Sequence, residues 1–238
     1  MTSGLQKRVR HMSPLSLYLN CRNHRLALCF THLLKKNETM ADVEALLVSI
    51  WKVFHFSAKR HAVFRQMQEL YDETPLTFIR VAATRWLSHL RACVRFISRY
   101  ESLLYTLDTI FTETREPEIA GIRAKAADRK TVLTILLLSD VLKPVNHLSL
   151  YLQSDIGYFS SLTERVKACI NELHGLIEQY EQGQFDDDLE FRKCDDLLNV
   201  ISDRTDLARR LRDDNNQLTP HDYLQTVGIP MIPTHYRD

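Results

Sequence analysis

From Thr131 to Leu152 the chain is apolar nearly all round, with no strand-like alternation. A helix built on such a segment has no wet face, so other elements must cover it on every side. The segment therefore predicts a buried central helix and demands amphipathic partners around it. Pro144, inside it, is expected to kink it. The longest apolar stretch, Val132 to Leu142, is too short to span a bilayer and contains Asp140, so no membrane partner is expected.

The partners are legible in the spacing of apolar residues. Leu26, Leu28, Cys29, Leu33 and Leu34 form one helical face that ends at Lys35-Lys36, cations suited to a helix C-terminus. Val43, Leu46, Leu47, Ile50, Val53 and Phe54 recur at i, i+3, i+4, i+7, with Thr39 as the expected N-cap of a helix to about Phe56. Ser57 is placed to cap the next helix, which runs to Tyr71 and is closed by Asp72-Glu73-Thr74-Pro75. After a connector from Phe78 to Ala83, Leu87, Leu90, Val94, Ile97, Leu104, Leu107 and Phe111 keep a spacing near 3.5 residues. They predict one long helix capped by Thr84 and ended at Glu116-Pro117. Ser161-Leu-Thr-Glu164 reads as a capping box, and Gly183 as the stop of the helix that follows. A last amphipathic helix is expected from Asp187 to Leu211, before a loose tail holding Pro220, Pro230 and Pro233.

Residues 1–13 read as irregular, and Leu15 to Leu19 as one short strand. Only 6 Gly and 7 Pro among 238 residues agree with a mainly helical chain of six to eight helices.

The net charge of +1 hides a split, with 16 Lys/Arg against 6 Asp/Glu in residues 1–100 and 15 against 24 thereafter. No acid occurs before Glu38. The split suggests a polyanion-facing half and a solvated or partner-facing half; alternatively the two halves neutralise each other in the fold. Five scattered cysteines, Cys21, Cys29, Cys93, Cys169 and Cys194, argue against a disulfide framework and for a reducing compartment.

Three constellations are candidates for chemistry. Cys21 and His24 are spaced to clip one metal from two sides, but no second pair completes a tetrahedral set, so no metal is expected. The alternative is a buried thiol and a histidine at a strand–helix junction. Thr84-Arg85-Trp86 opens a helix. A capped start favours phosphate, Arg85 offers a bidentate contact and Trp86 a ring for an exposed base. Arg91, Arg95 and Arg99 continue that helix as a basic stripe, unless Trp86 is core and the arginines a solvated face. Third, His55-Phe56-Ser57-Ala58-Lys59-Arg60-His61 is a basic, aromatic-flanked junction that could touch a nucleic-acid backbone or simply sit in water. The sequence has no Gly-rich phosphate loop, nucleophile elbow or His-Glu-x-x-His. Asp186-Asp187-Asp188, Asp195-Asp196 and Asp213-Asp214 read as solvated. No cofactor and no small-molecule substrate are expected.

Leu19-Asn20-Cys21-Arg22-Asn23-His24-Arg25-Leu26-Ala27-Leu28 resembles the Cys-x-x-His-Arg-Leu-x-Leu block of hAT-superfamily transposases and their domesticated relatives. Thr84-Arg85-Trp86-Leu87-Ser88 resembles their Thr-Arg-Trp block, in the same order and at about the same distance. Among these it resembles the zinc-finger-protein-862-like group, and the motif-bearing likeness covers about residues 4–112. The resemblance implies an RNase H-like core interrupted by an all-helical insertion, with three acids holding two divalent metals for strand cleavage. It places Cys21 and His24 just after a core strand and the Arg85-Trp86 pair in the insertion, where the tryptophan is thought to stack on DNA.

The acids of that family would fall before Met1 and beyond Asp238, and its zinc finger and dimerisation region have no counterpart here. The expectation is thus a fragment without catalysis, mainly α. A core remnant would span 1–36, with its strand at 15–20, followed by a helical insertion domain over 37–214 and a tail over 215–238. Arg85, Trp86, Arg91 and Arg95 are expected to bind DNA in the nucleus. The alternatives are a protein-interaction module that has lost DNA contacts, in nucleus or cytoplasm, with the acidic half as its contact surface, or a mis-called fragment of a longer transposase-like zinc finger protein.

Overall fold

The computed structural model describes residues 5–15, 21–82, 87–154 and 159–202. Ten α-helices lie among them: α1 (Leu5–Met12), α2 (Arg22–Lys36), α3 (Glu38–His55), α4 (Ala58–Leu70), α5 (Leu87–Ser98), α6 (Tyr100–Thr114), α7 (Pro117–Ala126), α8 (Arg129–Gln153), α9 (Leu162–Gln182) and α10 (Cys194–Ser202). The protein is mainly helical.

The organising element is α8. It packs against α2, α3, α5, α7, α9 and α10, which is the covering its all-round apolarity demands. Val132, Leu133, Ile135, Leu136 and Leu142 are buried along it. By length and composition α8 is apolar enough to cross a membrane. That property belongs to the whole 25-residue helix rather than to the shorter stretch around Asp140. Here its apolar surface is spent on packing inside the protein. The helix runs on through Pro144 with no interruption. A second layer forms where α4 packs on α3 and α6, and α6 on α7.

Several boundaries differ from the sequence expectation, each for a local reason. Residues 5–12, expected to be irregular, form α1. Asn37, not Thr39, caps α3: its side chain accepts from Met40 N at 3.1 Å, while its own N–H closes α2 on Leu33 O. The expected long helix breaks at Arg99, whose ψ of 24° leaves the helical range, giving α5 and α6. Helix α7 was unread, although Pro117 at its start is a helix-opening signal. Ser161 makes no capping bond; its hydroxyl pairs instead with Tyr151 OH at 2.6 Å. Gly183 ends α9 at φ 66°, as expected. The last expected helix is divided into a 3₁₀ turn, Glu190–Lys193, and α10. Residues 16–20 of the expected strand and the tail after 202 lie outside the described residues, while Leu15 is exposed.

Asp140 explains the 3₁₀ turn. It is 1 % exposed and sits on α8 among leucines. Its carboxylate accepts from the N–H groups of Glu190 and Phe191 at 2.8 and 3.0 Å, and from Tyr180 OH at 3.2 Å. Lys143 Nζ approaches at 3.4 Å. Asp140 thus caps, across space, a turn 50 residues away in the chain.

Candidate nucleic-acid interface

The residues read as DNA contacts have divided fates. Thr84, Arg85 and Trp86 lie outside the described residues. Arg91 and Arg95 are on α5, and Arg91 is exposed. Arg95 donates to Thr77 O. Partial burial, then the like charges of Arg99 and Arg91, lower its pKa below the usual guanidinium value. Arg99 donates to Gln68 Oε1 at 3.2 Å and Thr74 O at 3.0 Å, and lies 3.4 Å from Glu73. The basic stripe is therefore not uniform. Arg95 and Arg99 tie down the extended connector 73–82, and Arg91 alone of the three points its charge to solvent.

These bonds also set the connector's register along α5. Thr74 meets Arg99, Thr77 meets Arg95, and Ala82 N donates to Ser88 Oγ at 3.0 Å. Along this α5–connector edge Arg91 lies in sequence between Ser88 and Arg95, and Arg80 belongs to the connector; both are exposed.

Next to that edge lies a half-open cleft of about 410 Å³ at the α3–α4 elbow, lined by Trp51, Phe54, His55, Ala58, His61, Thr77 and Phe78. Trp51 stacks on His55 with ring centroids 4.4 Å apart, and Arg80 lies over the Trp51 ring at 5.3 Å. Phe56, 74 % exposed, meets both Trp51 and His55 edge-on. The floor is a buried stack in which Phe64 contacts Phe54 at 4.8 Å and Phe78 at 4.9 Å. The elbow is held by Ser57, whose hydroxyl accepts from Arg60 N, capping α4 as its position suggested. Sequence reasoning found the His55–His61 part of this cleft. Trp51, one turn before His55 on α3, lies just outside that stretch, while Thr77, Phe78 and Arg80 arrive from a separate segment.

Cys21 and His24 are both exposed, so the buried-thiol alternative does not hold for Cys21. Cys21 occupies the N-cap of α2 without a side-chain cap bond. Among the described residues no group of three or more His, Cys, Asp or Glu is arranged to hold a metal. Cys93 differs sharply: burial pushes its thiol up to about 12. Since the thiolate is the nucleophile, native protein is expected to alkylate at Cys21 and Cys29 with iodoacetamide and to leave Cys93 unmodified until it unfolds. Peptide mapping of native and urea-treated samples checks this. Equal labelling of Cys93 and Cys21 in the native sample would contradict the packing of α5.

The two halves of the charge split pair in part inside the fold. Two described ion pairs cross between the halves, Lys59–Glu113 at 3.2 Å and Arg60–Glu116 at 2.6 Å. Lys7, Arg8, Arg10 and Arg25 are exposed and enter no described ion pair, nor does Arg91. Comparison with family models, with curated proteins and with solved structures gives no match.

Proposed function

We propose that this chain is a non-catalytic, DNA-binding helical module of the nucleus, in keeping with its resemblance to hAT-derived proteins. The observation that carries the reading is the set of exposed cations Lys7, Arg8 and Arg10 on α1, Arg25 on α2 and Arg91 on α5, with no described acidic partner. Such charges gain most from a polyanion, whose condensed counterions they release. Arg85 and Trp86 add the phosphate and stacking contacts their helix-opening position suits. Contact with a protein partner is the second reading. It is favoured by α9, which exposes Val166 and Ile170 at 37 % and 45 % in the acidic half.

Salt separates the two. If roughly four phosphates are neutralised, affinity for a duplex oligonucleotide falls about a hundredfold between 50 and 200 mM salt. Trp86→Ala and Arg85→Ala are expected to weaken it further. Absence of binding at 50 mM salt, or affinity indifferent to salt, would refute the DNA reading.

A further inference from the structure

We propose that the cleft at the α3–α4 elbow receives an unpaired base of single-stranded nucleic acid, with the neighbouring phosphate on Arg80. The inference rests on the nucleic-acid reading above and adds a site and a strand preference to it.

The cleft's size comes first. At about 410 Å³ it falls within the range of sites that enclose small ligands, roughly 300–1,000 Å³. It is too small for a helix and half open, so a flat group on a flexible strand can enter edgewise.

The walls come second. Trp51, His55 and Phe78 line it with aromatic rings, Trp51 and His55 already stacked on each other, and His61 and Thr77 add polar edges. Every base has a π-face, so such a wall binds bases with little regard to sequence. Phe56 extends the aromatic surface outside the mouth. A single exposed phenylalanine is ordinary, but one in contact with an exposed histidine and a half-exposed tryptophan prolongs a stacking platform.

Charge comes third. The acids nearest the elbow in the α4–α6 packing are already engaged, Glu113 by Lys59 and Glu116 by both contacts of Arg60. Arg80 and Lys52 are exposed and meet no described carboxylate. Arg80 also lies over the Trp51 ring, a cation–π contact. Arg91, also exposed, lies on α5, the helix to which the connector is bonded. An apolar peptide would leave these charges uncompensated. A duplex would keep its bases stacked and out of the cleft.

The test compares a fluorescein-labelled 20-nucleotide oligo(dT) with a duplex of equal length, by fluorescence anisotropy on the full chain at 100 mM salt. Trp51→Ala is expected to weaken oligo(dT) binding about tenfold and duplex binding less than twofold. Trp51→Phe, which keeps a ring, restores most of the loss. Arg80→Gln and Phe56→Ala replace exposed side chains and should leave the fold intact. Each is expected to weaken the single strand several-fold, so the test does not hang on the folding of one variant. Wild-type oligo(dT) affinity in all three alanine or glutamine variants, with salt-dependent duplex binding intact, would overturn the cleft and spare the general reading. Equal losses on both probes would also overturn it, since a base slot requires a strand difference. Failure of both probes to bind wild type would overturn the two together.

Discussion

Replacing Asp140 by alanine is expected to destabilise the protein by about 3–5 kcal/mol, the typical result of removing one partner from a buried charged network. The loss would not come from α8 itself, whose neighbouring leucines stay packed. It would come from what Asp140 holds: two backbone N–H groups of the 3₁₀ turn and the Tyr180 hydroxyl. Left unpaired and buried, each costs about 1–3 kcal/mol. Phe185 and Phe191, packed edge-to-ring on Tyr180, would loosen with the turn. Asp140→Asn keeps one carbonyl acceptor and is expected to cost less, about 1–3 kcal/mol. Urea unfolding followed by circular dichroism gives both values. Indifference to Asp140→Ala would mean that the turn is not capped from α8.

The same carboxylate predicts a pH signature. Burial, the largest influence, raises the Asp140 pKa, and the Glu190 and Phe191 N–H groups, Lys143 and Tyr180 offset it only in part. A folded-state pKa above the unfolded value means the native state holds the proton more tightly. The associated stability is then fully present below the unfolded pKa and is lost as pH rises through the folded one. Wild type should therefore lose stability relative to Asp140→Asn as pH climbs out of the ordinary carboxylate range. A wild-type advantage that grows with pH would reverse the sign and refute the assignment.

Periodicity carried most of the fold into view, and tertiary partners decided what it left out. Helix α3 follows from its own apolar spacing because burial of one face is a local pattern, α4 from its Ser57 cap, α8 from its all-round apolarity and α9 from its Gly183 stop. The break at Arg99 does not, since Ile97 and Leu104 keep the same stripe across it. What ends α5 there is a guanidinium occupied by Gln68, Glu73 and Thr74, three residues of another segment. Asp140 reads as a blemish in an apolar run until the turn it caps is known. The candidate site behaves alike: the His55–His61 junction was legible as a contiguous basic and aromatic stretch. Its other wall, Thr77 to Arg80, belongs to a connector with no pattern of its own, held by Gln68, Arg95 and Arg99.

That wall depends on Phe64, and Phe64→Ala is expected to cost about 3–5 kcal/mol, typical of deleting a fully buried ring. Phe64 has no exposed surface and packs on both Phe54 of α3 and Phe78 of the connector, which also meet each other at 5.4 Å. One turn on, Gln68 bonds Leu76 in both directions, at 2.8 and 3.2 Å. Helix α4 thus fastens the connector twice, by a ring and by an amide. Removing the ring leaves a cavity under Phe78, and because residues 73–81 are in no helix or strand to restrain them, the damage should concentrate there. The Leu76 amide, protected only by the Gln68 side chain, is expected to exchange with solvent faster in Phe64→Ala than the amides of α8 do. Phe64→Leu, which keeps most of the volume, should cost less than about 1.5 kcal/mol. Oligo(dT) affinity should fall in Phe64→Ala under conditions where it remains folded, although Phe64 itself lies beneath the cleft and touches no ligand. Unfolding midpoints, amide exchange and anisotropy on the same variant distinguish this from a general loss of structure. Uniform acceleration of exchange across α3, α5 and α8 would show that the three-ring stack supports the whole core rather than the cleft's floor.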